Sequence, residues 1–135
     1  MSSWHETVAA GKTASVTATV NENNTARAVG SGSLDVFATP MMIALMERAA
    51  CEVLSDALEA GKTSVGTQIS VEHTAASPPG EAITAVATIT GVNGRKIEFA
   101  VTAGDGKGEV GKGTHTRVVV DEAKFMEKMA KASEK

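Results

Sequence analysis

One long helical stretch, set among extended segments, constrains this fold more than any other feature of the chain. From Pro40 to about Ala60 the apolar residues recur at helical spacing, which predicts about six turns. Thr39 suits the N-cap, and Pro40 suits the first helical position because its missing N–H needs no partner there. Gly61 predicts the end of the helix. The fold must therefore cover the apolar side of one long helix.

Extended segments precede and follow this helix. Alternating Thr and Val residues predict a strand at 13–20, and a short extended piece is expected at 27–33. A last short helix begins with Asp121 as its cap, and Asn93-Gly94 predicts a tight hairpin. The remaining extended segments are expected at about 63–74, 81–91, 95–103 and 109–120. This order predicts an α+β fold in which a mostly antiparallel sheet wraps one long helix.

Composition limits the size of the fold and its partners. With 135 residues, 42% of them hydrophobic, residues 1–135 are expected to form a single domain. The 16 acidic and 13 basic residues give a net charge of −3, and Lys and Arg form no dense cluster. Binding to nucleic acid or to an anionic membrane surface is therefore not expected.

The cysteine, the histidines and the N-terminal residues bear on where the protein is located and whether it binds a metal. No apolar run approaches the roughly 20 residues of a membrane-spanning helix, and the first residues do not resemble a secretory signal. The single Cys51 has no partner for an internal disulfide, so a cytoplasmic location is expected. His5, His73 and His115 are scattered along the chain, so no metal site and no cofactor are expected.

Glu47 is an acid near the apolar side of the long helix. The arc that should face water is formed by Arg48, Glu52, Ser55, Asp56 and Glu59. Glu47 falls outside this arc, at helical offsets from Ile43 and Leu54. It is either a carboxylate at the edge of the apolar stripe, with its head in solvent or paired with Arg48 or another base, or a functional acid.

His73 extends an apolar row on the first strand after the helix. Period-two alternation predicts that one face of this strand carries Val65, Thr67, Ile69, Val71 and His73. A histidine in such a row is either a hydrogen-bonded core or rim residue, or a partner for Glu47 if the strand packs on the helix. A desolvated acid beside an imidazole is a candidate functional site, and Thr39 adds a hydroxyl at the helix N-terminus.

Three stretches resemble a known family. "ATPMMIALMERAA" (38–50), "GTQISVEHTAASPPGE" (66–81) and "GKGTHTRVVV" (111–120) are similar to hotdog-fold acyl-CoA thioesterases, in particular the fluoroacetyl-CoA thioesterase branch. The resemblance covers about residues 13–129. In that branch a Thr, a Glu eight residues later and a His twenty-six residues beyond form the catalytic group, which implies Thr39, Glu47 and His73 here.

The resemblance also implies an assembly and a substrate. A hotdog domain is a long helix wrapped by a five- to six-stranded antiparallel sheet, and such domains usually pair so that active sites lie between subunits. A homodimer, or a tetramer of such dimers, acting on an acyl-CoA is therefore implied. Positions expected to contact the acyl group or coenzyme A are Phe37, Gly66, Gly111, Gly113 and Arg117. His115 shares their strand face and is either part of this surface or a solvated residue on a bulged strand.

One departure from the branch affects the expected substrate. Fluoroacetyl-specific members carry an aromatic lid before the helix, where this chain has Gly30 and Ser33, and only Phe37 is near. A short or medium acyl-CoA is therefore expected rather than a fluorinated one. Glu47 would act as nucleophile or as general base, assisted by His73 and Thr39. Two other functions stay open: a non-catalytic acyl-CoA-binding dimer and, less well supported, an enoyl-CoA hydratase.

Overall fold

A computed structural model describes residues 4–133. Its strands are β1 (Thr13–Thr19), β2 (Lys62–His73), β3 (Ala82–Asn93), β4 (Lys96–Asp105) and β5 (Gly108–Asp121). Its helices are α1 (Ala26–Val29), α2 (Thr39–Ser55) and α3 (Glu122–Ser133), and a 3-10 turn covers Trp4–Glu6. No helix among residues 4–133 has the length and apolar character needed to cross a membrane.

The five strands form one antiparallel sheet in the order β1-β3-β4-β5-β2. Helix α2 lies on one face of this sheet, mainly against β1 and β3, and also contacts β4 and β2. Within the part of the chain that the structure describes, β2 pairs only with β5 and is therefore an edge strand. The predicted α+β arrangement of a long helix wrapped by an antiparallel sheet is confirmed.

The core between α2 and the sheet is built mainly from small and aliphatic side chains. Alternate residues of β3 and β4 are buried, and Ala85 and Ala87 on β3 are 0% exposed. Because alanine side chains are short, α2 can approach β3 closely. From the helix, the buried residues are Met42, Leu45, Met46, Ala49, Ala50, Val53 and Leu54.

Most predicted boundaries are close to the observed ones. Asp121 caps α3 as predicted, accepting a hydrogen bond from the Lys124 N–H at 3.0 Å. The extended piece predicted at 27–33 is wrong, since Ala26–Val29 is a helical turn. Its ends explain this result: Thr25 Oγ1 accepts a hydrogen bond from the Ala28 N–H at 3.2 Å, and Gly30 at φ +80° forms a left-handed C-cap.

The ends of α2 differ from the prediction. Thr39 is the first helical residue and not the N-cap, a position held by Ala38 without any side-chain hydrogen bond. At the other end α2 stops at Ser55, and Gly61 lies beyond it in the turn before β2, with φ +87°. The Leu54 carbonyl accepts from both Ala57 and Leu58, which tightens the chain into a turn after the last helical residue.

A bulge in β2 changes which residues face α2. Gly66 pairs with Arg117 and Gln68 with Thr116, so Thr67 is an extra residue in the strand. Beyond the bulge the predicted face is confirmed for Ile69, Val71 and His73, which pair with alternate residues of β5. Before the bulge the prediction is wrong for Val65, because Gly66 occupies the face toward α2.

Candidate active site

Thr39 and His73 meet where α2 begins and β2 ends. Thr39 Oγ1 and His73 Nδ1 are 2.8 Å apart, which is a hydrogen bond. Thr39 is free to make this contact because its side chain does not cap the helix. The two residues line a cavity of about 250 Å³ together with Phe37, and the remaining lining residues are Ala26, Ser31, Val36, Thr74, Ala75 and Ala76.

The His73 imidazole is held in a neutral form suited to proton transfer. Burial lowers its pKa below the usual 6.5. Nδ1 is used by Thr39, and Nε2 is buried with no hydrogen-bond partner among residues 4–133. One ring nitrogen is therefore fixed by Thr39, while the other is shielded from solvent and unpaired among residues 4–133.

Glu47 lies farther along α2, beside Arg117 of β5. Glu47 Oε2 and Arg117 Nη1 are 3.8 Å apart, and their side chains are 42% and 9% exposed. The carboxylate is thus partly open to solvent while its charge is balanced from inside the protein. Glu47 does pair with a base, but the base is Arg117 and not the exposed Arg48. Its role as a functional acid stays a prediction.

Arg117 is anchored by Ser64, which sequence reasoning did not assign to the site, and by His115, for which it left a place in the site open. Its Nε donates to Ser64 Oγ at 2.8 Å, and its Nη2 donates to the Ser64 carbonyl at 3.1 Å. Its Nη1 is 3.2 Å from His115 Nε2. Ser64 gave no signal in the sequence because a serine in a strand is common. Alternation had already placed His115 on the strand face of Arg117, and its place in the site was one of the two interpretations left open.

The interpretation of His115 as a solvated residue is wrong. His115 is 1% exposed and stacks on Phe99 with ring centroids 6.0 Å apart. Its Nδ1 is 2.7 Å from the Gln68 carbonyl, which can only accept, and its Nε2 faces Arg117, which can only donate. The imidazole is therefore the neutral Nδ1–H tautomer, and burial lowers its pKa below 6.5.

Gly66 leaves space for this charged group. A Cβ on Gly66 would lie 3.1 Å from Glu47 Oε2, 3.2 Å from His115 Cε1 and 3.3 Å from Arg117 Nη1. These separations are closer than ordinary van der Waals contact. Any larger residue at position 66 would therefore press on the pair formed by Glu47 and Arg117.

Gly111 and Gly113 lie on the same face of β5 and are packed within the chain. A Cβ on Gly111 would overlap the Met42 sulfur of α2, and a Cβ on Gly113 would overlap the backbone at Ser70 and Val71. The glycines therefore allow β5 to pack closely on α2 and on β2. Their predicted contact with a coenzyme stays a prediction.

Within one chain, the predicted catalytic residues form two separate groups. Thr39 and His73 are in contact, and Glu47 is grouped with Gly66 and Arg117. Thr39 and Glu47 are eight residues apart on one helix, which corresponds to about 12 Å along its axis. We refer to Thr39 and His73 as the Thr–His group and to Glu47 with Arg117 as the Glu–Arg group.

Comparison with known proteins decides the family. The family model described as fluoroacetyl-CoA-specific thioesterase matches residues 20–123. The chain belongs to this family. A fluoroacetyl-CoA thioesterase from Streptantibioticus cattleyicolor is 45% identical over 95 residues, which are 70% of this chain and 68% of the relative.

Solved structures agree with this membership of the fluoroacetyl-CoA-specific thioesterase family. A structure of the fluoroacetyl-CoA thioesterase is 36% identical with a TM-score of 0.85, covering 92% of this chain and 96% of the other. A thioesterase superfamily member from Thermus thermophilus is 26% identical with a TM-score of 0.87, and 94% of each chain is covered. A hot-dog-like protein from Thermanaerovibrio acidaminovorans is 25% identical, also at TM-score 0.87, with 96% of each chain covered. The predictions of a hotdog fold and of a thioester hydrolase of the acyl-CoA thioesterase class are confirmed.

Proposed function

We propose that this protein hydrolyses a short or medium acyl-CoA thioester to the free acid and coenzyme A. One observation carries this proposal: in a chain of this family, the partly exposed carboxylate of Glu47 stands beside the buried guanidinium of Arg117. A related fluoroacetyl-CoA thioesterase, 36% identical to this chain, was solved as a mutant in complex with acetyl-CoA. A CoA thioester with a small acyl group is therefore the first substrate class to test.

Glu47 supplies the attack on the thioester carbonyl. Either the carboxylate adds to the carbonyl carbon and gives a mixed anhydride that water then cleaves, or it removes a proton from an attacking water. In both cases coenzyme A leaves as a thiolate, which needs little protonation. The neutral His73 orients or activates the water through Nε2, and Thr39 fixes the ring through Nδ1. The backbone at Gly66 is the proposed approach for the carbonyl oxygen.

Pairing of two chains through β2 would bring the Thr–His group and the Glu–Arg group together. β2 is a sheet edge, so its outer N–H and C=O groups can pair with a second copy. In an antiparallel, two-fold pairing, the Gly66 end of one β2 lies against the His73 end of the other. Glu47 of one chain then faces Thr39 and His73 of the second. A homodimer with composite sites is therefore part of the proposal.

The proposed acyl group is small and not specifically fluorinated. The cavity beside Thr39 and His73 measures about 250 Å³, and buried Phe37 forms one wall. Gly30 and Ser33 provide no aromatic side chain over it. The proposed compartment is the cytoplasm, in agreement with the free and exposed Cys51.

A panel of acyl-CoA thioesters tests the function. The purified protein is incubated with acetyl-, fluoroacetyl-, butyryl-, octanoyl- and crotonyl-CoA while free thiol is measured. Thiol release from the short or medium chains is expected, and the fluoroacetyl ester should have no large advantage. Binding without thiol release would show a non-catalytic acyl-CoA-binding protein, and loss of enoyl absorbance without thiol release would show a hydratase. Either result would overturn the proposal.

Substitution of the acid tests the role of Glu47. Glu47→Gln keeps the size of the side chain but removes its charge and basicity, and kcat should fall on the order of 100-fold or more. Glu52→Gln is the matched control, because Glu52 lies on the exposed face of the same helix. A Glu47→Gln variant within a few fold of wild type would contradict the assignment.

A further inference from the structure

The Arg117 guanidinium is fixed in one orientation by neighbours on its own sheet. Nε and Nη2 both donate to Ser64, at 2.8 Å and 3.1 Å. Nη1 donates to His115 Nε2 at 3.2 Å and lies 3.8 Å from Glu47 Oε2. Of these neighbours only Glu47 belongs to α2. The sheet therefore holds the guanidinium and presents one of its nitrogens to the carboxylate.

His115 can accept this hydrogen bond only as the neutral Nδ1–H tautomer. The Gln68 carbonyl, 2.7 Å from Nδ1, selects that tautomer because it must receive a proton donor. The charged groups around the ring are Arg117 on the same strand and Glu47 on α2, while Phe99 covers the ring from β4. Burial lowers the pKa of His115, which keeps Nε2 free to accept at neutral pH.

We propose that His115 and Ser64 are positioning residues of the thioesterase, holding the Arg117 guanidinium in the orientation that aims Glu47 at the substrate. The expected effect on kcat rests on the proposed function, whereas the hydrogen bonds that hold Arg117 do not depend on it. Without the Ser64 hydroxyl and His115 Nε2 as acceptors, Arg117 would have other rotamers available. Glu47 would then lose its fixed partner. Since small displacements of a reacting group can cost about 100-fold in rate, such a change should act on kcat more than on KM.

Paired substitutions test the two positions. His115→Leu replaces the imidazole with an apolar side chain that cannot accept from Arg117, and Ser64→Ala removes the hydroxyl acceptor. We expect each variant to lower kcat about 10- to 100-fold with KM within about threefold. His115→Gln offers an amide oxygen to Arg117, and Ser64→Thr keeps the hydroxyl. Relative to His115→Leu and Ser64→Ala, each should recover at least about half of the loss in log kcat.

A packing control and a spectroscopic readout separate positioning from stability. Ile97→Val changes a buried residue opposite Arg117 on β4 without touching a polar contact, and should leave kcat within about twofold. The ¹⁵N and ¹H correlations of the His115 ring should show a protonated Nδ1 and an accepting Nε2 at pH 7. If His115→Leu is too unstable to purify, the two Ser64 variants and the ring spectrum still decide the question.

Several outcomes would overturn the proposal. They are a protonated Nε2 in the His115 spectrum, a Ser64→Ala variant with wild-type kcat, or a His115→Gln variant as inactive as His115→Leu. The proposed function has its own failure, which is a wild-type protein that releases thiol from no acyl-CoA. In that event the ring spectrum still reports whether His115 is the acceptor for Arg117.

Discussion

At the residue scale, the Glu–Arg group depends on a position with no side chain. Gly66 faces Glu47, His115 and Arg117, and its φ is not among the positive values found at other glycines. An alanine can therefore adopt the backbone conformation, but its Cβ would press on the ion pair. Glycine is required at position 66 because of contacts within the site and not because of its backbone conformation.

Gly66→Ala should lower kcat by about 10-fold while changing thermal stability little, because the new methyl displaces Glu47 and Arg117 by a few tenths of an ångström. Steady-state kinetics and a thermal melt measure the two effects. Gly91→Ala is the control: its Cβ would lie 3.2 Å from Glu98 Oε2, the end of an exposed side chain that can move. Equal kcat values for the two variants would show that position 66 does not support Glu47.

At the scale of elements, the bulge at Thr67 and the packing of the Met42 side chain of α2 against Gly111 of β5 shape the site. Without the extra residue in β2, Gly66 would lie on the opposite face from Ile69 and His73. The bulge therefore lets one strand present both ends of the site to α2. Alternation could predict each half of the strand but not the change of phase between them, because a bulge has no distinct sequence pattern here.

The contact of α2 with β5 predicts the effect of a substitution at Gly111. Gly111→Ala would overlap the Met42 sulfur, so α2 must shift, and we expect a loss of about 1–3 kcal/mol in the free energy of unfolding. Urea titration measures this loss. Adding Met42→Ala removes the obstructing side chain, so the double variant should lose less than the sum of the single variants. Strict additivity would show that Gly111 is not a packing position.

At the scale of the whole molecule, the two groups of site residues predict a complementation experiment. If the proposed dimer with composite sites forms, Glu47→Gln and His73→Ala should each be nearly inactive on their own. Refolded together at equal amounts, half of the dimers should be mixed and carry one intact site, which gives about a quarter of wild-type activity. Each variant refolded alone is the control. Activity no greater than that of the separate variants would place the site within one chain.

The buried histidines also predict how stability depends on pH. Burial lowers the pKa of His73 and His115 below 6.5 in the folded protein, so the unfolded chain binds these protons first as the pH falls. The free energy of unfolding should therefore begin to decrease as the pH falls toward 6.5 and go on decreasing below it. The decrease should be less steep in His115→Gln, which lacks one of the two groups. The lowered pKa values of Asp105 and Asp121 act only below about pH 3.8. A flat profile in urea titrations would contradict this prediction.

The amino-acid sequence by itself determined most helices and strands and the chemical types of the candidate site residues. Helical spacing after Pro40, alternation in the strands and the Asn93-Gly94 turn depend on neighbours a few residues apart, so they can be read from the chain alone. The spacing of Thr39, Glu47 and His73 indicated the family. The extended piece predicted at 27–33 is wrong because Thr25 and Gly30 cap a helical turn over Ala26–Val29.

Only the tertiary structure decided how the candidates are grouped. Glu47 could have paired with Arg48, one residue away, but it pairs with Arg117, seventy positions later, because the fold brings the long Arg117 side chain of β5 to within 3.8 Å of the carboxylate. Ser64 and His115 join the site through the same pairing of β2 with β5. Such contacts depend on strand register and on the bulge, which arise from burial across the whole sheet. No local pattern in the chain contains that information.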